Sequence, residues 1–204
     1  MDKKKRFNER YKSGDTPWDV GRPDNNLIRM ITDHPINPCK ALEIGSGTGA
    51  NAVWLAQQGF DVTGTEVSDV AVQKARTHAA ETGNTCSFLE IDFLEQDVPG
   101  KPFGFIFDRG CFHAYNTHEL RSLFARRAAL HLEKGGLWMS IVGSTDDLPR
   151  DHGPPQYSLK DVVTAIEPYF EILSINAGYF ESNRSKKPKA WICLYKKRDR
   201  EVEG

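Results

Sequence analysis

Ala41-Leu-Glu-Ile-Gly-Ser-Gly-Thr-Gly-Ala50 decides how the rest of the chain is read. A short apolar run from Ala41 to Ile44 carries an acid, Glu43, and leads into three spaced glycines, Gly45, Gly47 and Gly49. The apolar stretch Val53-Trp-Leu-Ala56 follows, and Gly59 closes it. The order predicts strand, Gly-rich turn, helix. Glycine lets the backbone come close to a ligand and tolerates positive φ. Taken alone, the turn also fits the dinucleotide pattern G-x-G-x-x-[GA].

Working outward, strands and helices alternate. Asp61-Val-Thr-Gly-Thr-Glu66 predicts a second strand, and Ser68 a cap for the helix through Val70, Val72, Ala75 and Ala79. Cys86 to Ile91 predicts a third strand, with Asp92 and Phe93 just beyond it, and Phe103 to Asp108 a fourth. Thr117 caps a helix to about Glu133, Lys134-Gly-Gly136 makes a turn, and Leu137 to Val142 is the fifth strand. A Pro- and Gly-rich loop runs from Gly143 to Tyr157, and Ser158 starts a helix with Asp161 as its capping-box acid. Phe170 to Ile175 and Ala190 to Lys196 close the chain as an antiparallel hairpin.

This pattern predicts an α/β class: a Rossmann-like, doubly wound, seven-stranded sheet with a C-terminal antiparallel β-hairpin. One domain over residues 1–204 is expected, with an N-terminal segment 1–26 and a core over 41–196. Such sheets bind ligands at the carboxyl ends of their strands. Four of those ends carry acids here: Glu43, Glu66, Asp92 and Asp108.

Glu66 follows Gly45 by roughly 20 residues, which suits a carboxylate on a ribose diol. Asp92 and Phe93 suit an adenine, the carboxylate accepting from its amine. The plain alternative is that Glu66 and Asp92 are ordinary strand-end and turn acids. Charge separates the ligands. Glu43 would repel a pyrophosphate, whereas it suits S-adenosylmethionine, which carries an ammonium and a sulfonium.

Glu43-Ile-Gly-Ser-Gly-Thr-Gly49, Glu66, Asp92-Phe93 and the late hairpin resemble the class I S-adenosylmethionine-dependent methyltransferases, over about residues 7–196. Thr16-Pro-Trp-Asp-Val-Gly-Arg22 and Asp151-His-Gly-Pro-Pro-Gln-Tyr157 resemble segments of the thiopurine methyltransferase-like group, nearest to the halide/thiol methyltransferases of plants. The resemblance implies S-adenosyl-L-methionine as cofactor, with Gly45, Gly47, Gly49, Glu43, Glu66, Asp92, Phe93 and Asp108 around it. It also implies that N-terminal aromatics, here Trp18 and Tyr11 with Phe7, pack on the cofactor as a lid. A plain packing arm is the alternative. Where the halide enzymes have Tyr after the fourth strand, this chain has Arg109-Gly-Cys-Phe-His113, similar to bacterial enzymes including the tellurite-resistance type.

The sulfonium methyl is already activated, so direct in-line transfer needs alignment and a dry site more than a general base. Tyr157 could orient the nucleophile or simply pack on the core. Arg109 could attract an anionic acceptor or pair with Asp108 or another acid. His113 could act as a base, although a His after a strand is more often structural. His152 is expected in exposed loop. These assignments point to a small acceptor: a thiol, halide or chalcogen anion, with another O or N acceptor as the alternative. A non-catalytic module that only binds the cofactor, and a nicotinamide enzyme, remain the other classes.

Composition narrows the field. A net charge of -1 gives no global attraction to nucleic acid, and no apolar run approaches membrane-spanning length. No apolar stretch follows the basic start at Met1, so a cytoplasmic protein is expected. Cys39, Cys86, Cys111 and Cys193 are scattered without metal-ligand spacing, and are expected as reduced thiols, with Cys111 lining the pocket.

Overall fold

A computed structural model of the chain describes residues 2–34, 36–149, 153–183 and 185–199. Seven strands form one mixed sheet in the order β3-β2-β1-β4-β5-β7-β6, the expected fold class. The chain divides into two compact units, Met1–Val98 with Glu181–Ser185, and Pro99–Phe180 with Lys186–Gly204.

The first unit holds α1 (Lys3–Ser13), α2 (Asn25–Asp33), β1 (Lys40–Ile44), α3 (Ala50–Gln57), β2 (Asp61–Glu66), α4 (Asp69–Glu81) and β3 (Ser87–Glu90). β1 pairs in parallel with β2, and β2 with β3, so Glu43 stands beside Gly64 and Thr65 beside Ile44. Local chemistry sets the helix starts. The Ser68 hydroxyl accepts from the Ala71 N–H, and Asp24 accepts from the Asn26 N–H at the head of α2. On α4 the small residues Ala71, Ala75 and Ala79 are buried, and they allow the helix to lie close to its neighbours.

Phe88 of β3 fills the space that glycines leave. A Cβ built on Gly64 would come within 2.7 Å of the Phe88 ring and 2.9 Å of the Ser46 hydroxyl. β2 therefore passes the Gly-rich turn at a distance that only a bare backbone permits.

The second unit holds β4 (Phe103–Arg109), a 3-10 turn (Phe112–Ala114), α5 (His118–His131), β5 (Leu132–Gly143), α6 (Leu159–Ile166), β6 (Phe170–Tyr179) and β7 (Lys189–Lys197). β5 runs parallel to β4, and β7 lies antiparallel between β5 and β6, so the expected hairpin is present and longer than its β-rich cores suggest. Trp138 centres the core, with the rings of Phe170 and Tyr195 each 5.2 Å from it and those of Phe112 and Phe124 each 5.7 Å. At the start of α6, Ser158 and Asp161 form the predicted capping box.

One boundary differs. Lys134-Gly-Gly136 is not a turn between helix and strand. Leu132 already pairs with Phe103, and Leu137 pairs with Phe105, so the intervening residues form an irregularity inside β5. The glycine pair signals a bulge as readily as a turn, and only the partner strand distinguishes them.

Gly64→Ala tests the close approach. The added methyl must displace the buried Phe88 ring, and a loss of about 1–3 kcal/mol in urea unfolding is expected, as for an overpacked core. An unchanged unfolding midpoint would show that Phe88 yields freely.

Candidate functional site

In the first unit the ends of β1 and β2 are tied through the Gly-rich turn. The N–H groups of Gly45 and Ser46 both donate to the Thr65 carbonyl, at 2.8 and 2.9 Å. Gly47 follows with φ 54°, which turns its own N–H onto Glu66 Oε2 at 3.2 Å. Glu66 Oε1 accepts from the Ser68 N–H at 3.0 Å. Burial pushes the Glu66 pKa up, against the pull of these backbone donors.

Glu43 is buried at the end of β1. Its Oε1 accepts from Asn51 Nδ2 at 2.9 Å, and Asn51 Oδ1 in turn accepts from the Asp24 N–H at 2.8 Å. The sequence reading did not single out Asn51. Its signal there is only a polar residue at the second position of a helix following the turn.

The N-terminal aromatics meet at this turn. Tyr11 is buried, and its hydroxyl would lie 2.9 Å from a Cβ on Gly47. Trp18 Nε1 donates to the Tyr11 hydroxyl at 3.2 Å, and both Phe7 and Tyr11 meet the Trp18 ring edge-on. The Arg10 guanidinium stacks over Trp18 at 4.1 Å. α1 is held to α4 by the Lys74 ammonium on the Tyr11 carbonyl at 2.7 Å and by the Ser68 hydroxyl on Asn8 at 2.6 Å. The Thr48 hydroxyl, within the turn, donates to Asp19 at 2.9 Å.

Asp92 stands just beyond β3, as expected. Its carboxylate pairs with the Lys3 ammonium at 3.3 Å and accepts from the Leu94 N–H at 3.1 Å, so it closes a turn and anchors α1. Phe93 beside it is buried.

In the second unit Asp108 is fully buried. Oδ1 accepts from the N–H groups of Cys111 and Phe112 at 3.1 and 2.9 Å, and Oδ2 from Trp138 Nε1 at 3.0 Å. Asp108 therefore fixes the turn after β4. Burial pushes its pKa up to about 6, against the pull of its hydrogen-bond donors.

The other expected acceptor residues are also engaged. Arg109 lies over the Phe180 ring at 5.5 Å. His113 is buried, its ring edge-on to Phe180. His113 Nδ1 accepts from the Gly143 N–H at 3.0 Å, which places the proton of the neutral ring on Nε2. At that atom the ring can donate. Tyr157 donates its hydroxyl proton to the Tyr115 carbonyl at 3.0 Å, and Arg121 stacks on its ring at 4.2 Å. Its contacts are those of a packed loop residue. Cys111 is half-buried and outside any disulfide. Asp151 and His152 lie outside the described residues. Among the described residues no group of His, Cys, Asp and Glu side chains is arranged to hold a metal, and no helix is long and apolar enough to cross a membrane.

A family model described as a methyltransferase domain matches residues 41–136, from β1 into β5. The chain is also 30% identical over 169 residues to a probable thiol methyltransferase 2 of Arabidopsis thaliana, across 81% of this chain and 73% of the relative. The chain belongs to the class I S-adenosylmethionine-dependent methyltransferases. This methyltransferase is further similar to a 2-heptyl-1-hydroxyquinolin-4(1H)-one methyltransferase of Mycobacteroides abscessus, 25% identical over 82% of this chain and 74% of the relative. In fold it resembles a structure solved in work on conversion of a disulfide bond into a thioacetal group during echinomycin biosynthesis, with TM-score 0.81, 22% identity, and coverage of 95% of this chain and 92% of that one.

The first unit suits the methyltransferase cofactor. The turn presents backbone with no room for a Cβ at Gly47, and two buried carboxylates stand at adjacent strand ends. A ligand with a cationic amino-acid end and two ribose hydroxyls matches that donor and acceptor set.

The buried Asp108 makes a pH prediction. Its folded pKa lies above its ordinary value of 3.8, so the folded enzyme binds the proton more tightly. This contribution to stability is fully present below that value and is lost as pH rises through about 6. Unfolding of the wild type and Asp108→Asn at pH 7.5 and pH 5 checks it. The wild type should gain on the variant at the lower pH. An equal difference at both would mean that Asp108 does not titrate in this window.

Proposed function

We propose that this methyltransferase moves the methyl group of S-adenosylmethionine onto a small soft nucleophile, a thiolate foremost, with halide and chalcogen anions in the same class. The observation that carries the reading is the likeness to the Arabidopsis thaliana thiol methyltransferase across most of the chain. The geometry supports it. Of the two side chains weighed at the acceptor, His113 as a base and Tyr157 as an orienting group, His113 Nδ1 accepts from the Gly143 N–H and Tyr157 donates its proton to a carbonyl. An acceptor that arrives as an anion needs neither of them.

When bound, the cofactor supplies a methyl group already activated on sulfur. In this reading Gly45, Gly47 and Gly49 bring bare backbone alongside it, Glu66 accepts from the ribose hydroxyls, and Glu43 meets the ammonium group. Phe93 borders the adenine, and Asp92, paired with Lys3, accepts from its amine. Residues 1–26 act as a lid whose cluster of Phe7, Tyr11 and Trp18 excludes water. Arg109 offers an anionic acceptor a positive charge. Asp108 holds the turn that carries Arg109 and His113.

Three measurements test the reading. Glu66→Ala should weaken S-adenosylhomocysteine binding by about 1–3 kcal/mol in calorimetry, and unchanged affinity would take Glu66 off the ribose. An acceptor screen over small thiols, bisulfide, iodide, thiopurines, tellurite and selenite should yield S-adenosylhomocysteine, with thiol rates rising through each thiol's own pKa. Arg109→Ala should lower turnover of these anions and spare cofactor affinity. The Mycobacteroides abscessus relative, named for a hydroxyquinolinone, supports a second reading with a hydroxylated acceptor. Turnover confined to such compounds would replace the thiol assignment.

A further inference from the structure

Asn51 makes two directional contacts with partners that cannot exchange roles. The Asp24 N–H can only donate, so the Asn51 oxygen faces Asp24 and its amide nitrogen faces Glu43 Oε1. The amide orientation is therefore fixed by the backbone at the head of α2. Glu43 is buried, and a buried carboxylate must be held by hydrogen bonds. Asn51 provides such a bond without bringing a charge. A Lys or Arg at this position would hold Glu43 equally well and would cancel the charge that a cationic ligand needs.

We propose that Asn51 is a positioning residue for the charged end of the cofactor: it clamps Glu43 between α3 and the start of α2 so that the carboxylate is aimed before the ligand arrives. The proposal rests on the reading that Glu43 meets the ammonium group. Asn51 itself acts through Glu43. Preorganisation of this kind lowers the ordering cost of binding and leaves the adenosine contacts alone.

The test compares two ligands that differ at that end. S-adenosylhomocysteine carries the amino-acid chain, and 5′-methylthioadenosine lacks it. Calorimetry on Asn51→Ala should show S-adenosylhomocysteine weakened roughly tenfold and methylthioadenosine changed by no more than about twofold. An equal loss for both ligands would mean that Asn51 only supports the loop, and no loss for either would mean that Glu43 needs no clamp. Each of these overturns the proposal. Asn51→Ser, too short to span both partners, gives the same comparison if the alanine variant does not fold. Glu43→Gln separates the two levels. A selective loss of S-adenosylhomocysteine there upholds the ammonium reading and leaves Asn51→Ala to decide the clamp. No selective loss there removes the ammonium reading, and the clamp proposal with it.

Discussion

A carboxylate taken out of water must be surrounded by donors, and this constraint shapes the first unit. Glu43 and Glu66 end adjacent parallel strands and are both buried. Leaving either without partners would cost several kcal/mol. For Glu66 the donors are the N–H groups of Gly47 and Ser68, one from the Gly-rich turn and one from the head of α4. The left-handed backbone at Gly47 is what aims the first of them. Turn conformation, strand spacing and the start of α4 are thus one solution to a single electrostatic demand.

The second unit answers the same demand at Asp108 and reaches a different result. Here the donors close completely around the carboxylate, two from the turn after β4 and one from Trp138. Nothing of the side chain remains at the surface. The acid becomes a rivet for the segment that carries Arg109 and His113. Two strand-end acids therefore diverge, because one neighbour is glycine backbone and the other an indole.

Periodicity and caps made the framework legible. The strand ends at Glu66 and near Asp108, the caps at Ser68, Thr117 and Ser158, and the final hairpin all follow from local pattern. The meeting of Phe7, Tyr11 and Trp18 was also legible, because three aromatics outside any strand must bury against something. What escaped was set by distant partners. The Asn51 clamp depends on Asp24, 27 positions away in the chain, and the Tyr157 hydroxyl on Tyr115, 42 away. The His113 tautomer depends on one N–H from the end of β5. Lys134-Gly-Gly136 looked like a turn because the register that makes it a bulge belongs to β4.

The first unit borrows a piece of chain from far downstream, and this bears on the order in which the protein is made. Glu181 accepts from Arg22 at 2.6 Å and from Asn25 at 3.1 Å, and Asn183 donates to the Asp19 carbonyl at 2.8 Å. During synthesis from the N-terminus, the segment 15–25 is made long before these partners emerge. The strands and helices through Val98 are already made by then, while segment 15–25 waits for Glu181 and Asn183. A nascent chain stalled before Glu181 would carry the Gly-rich turn without these ties.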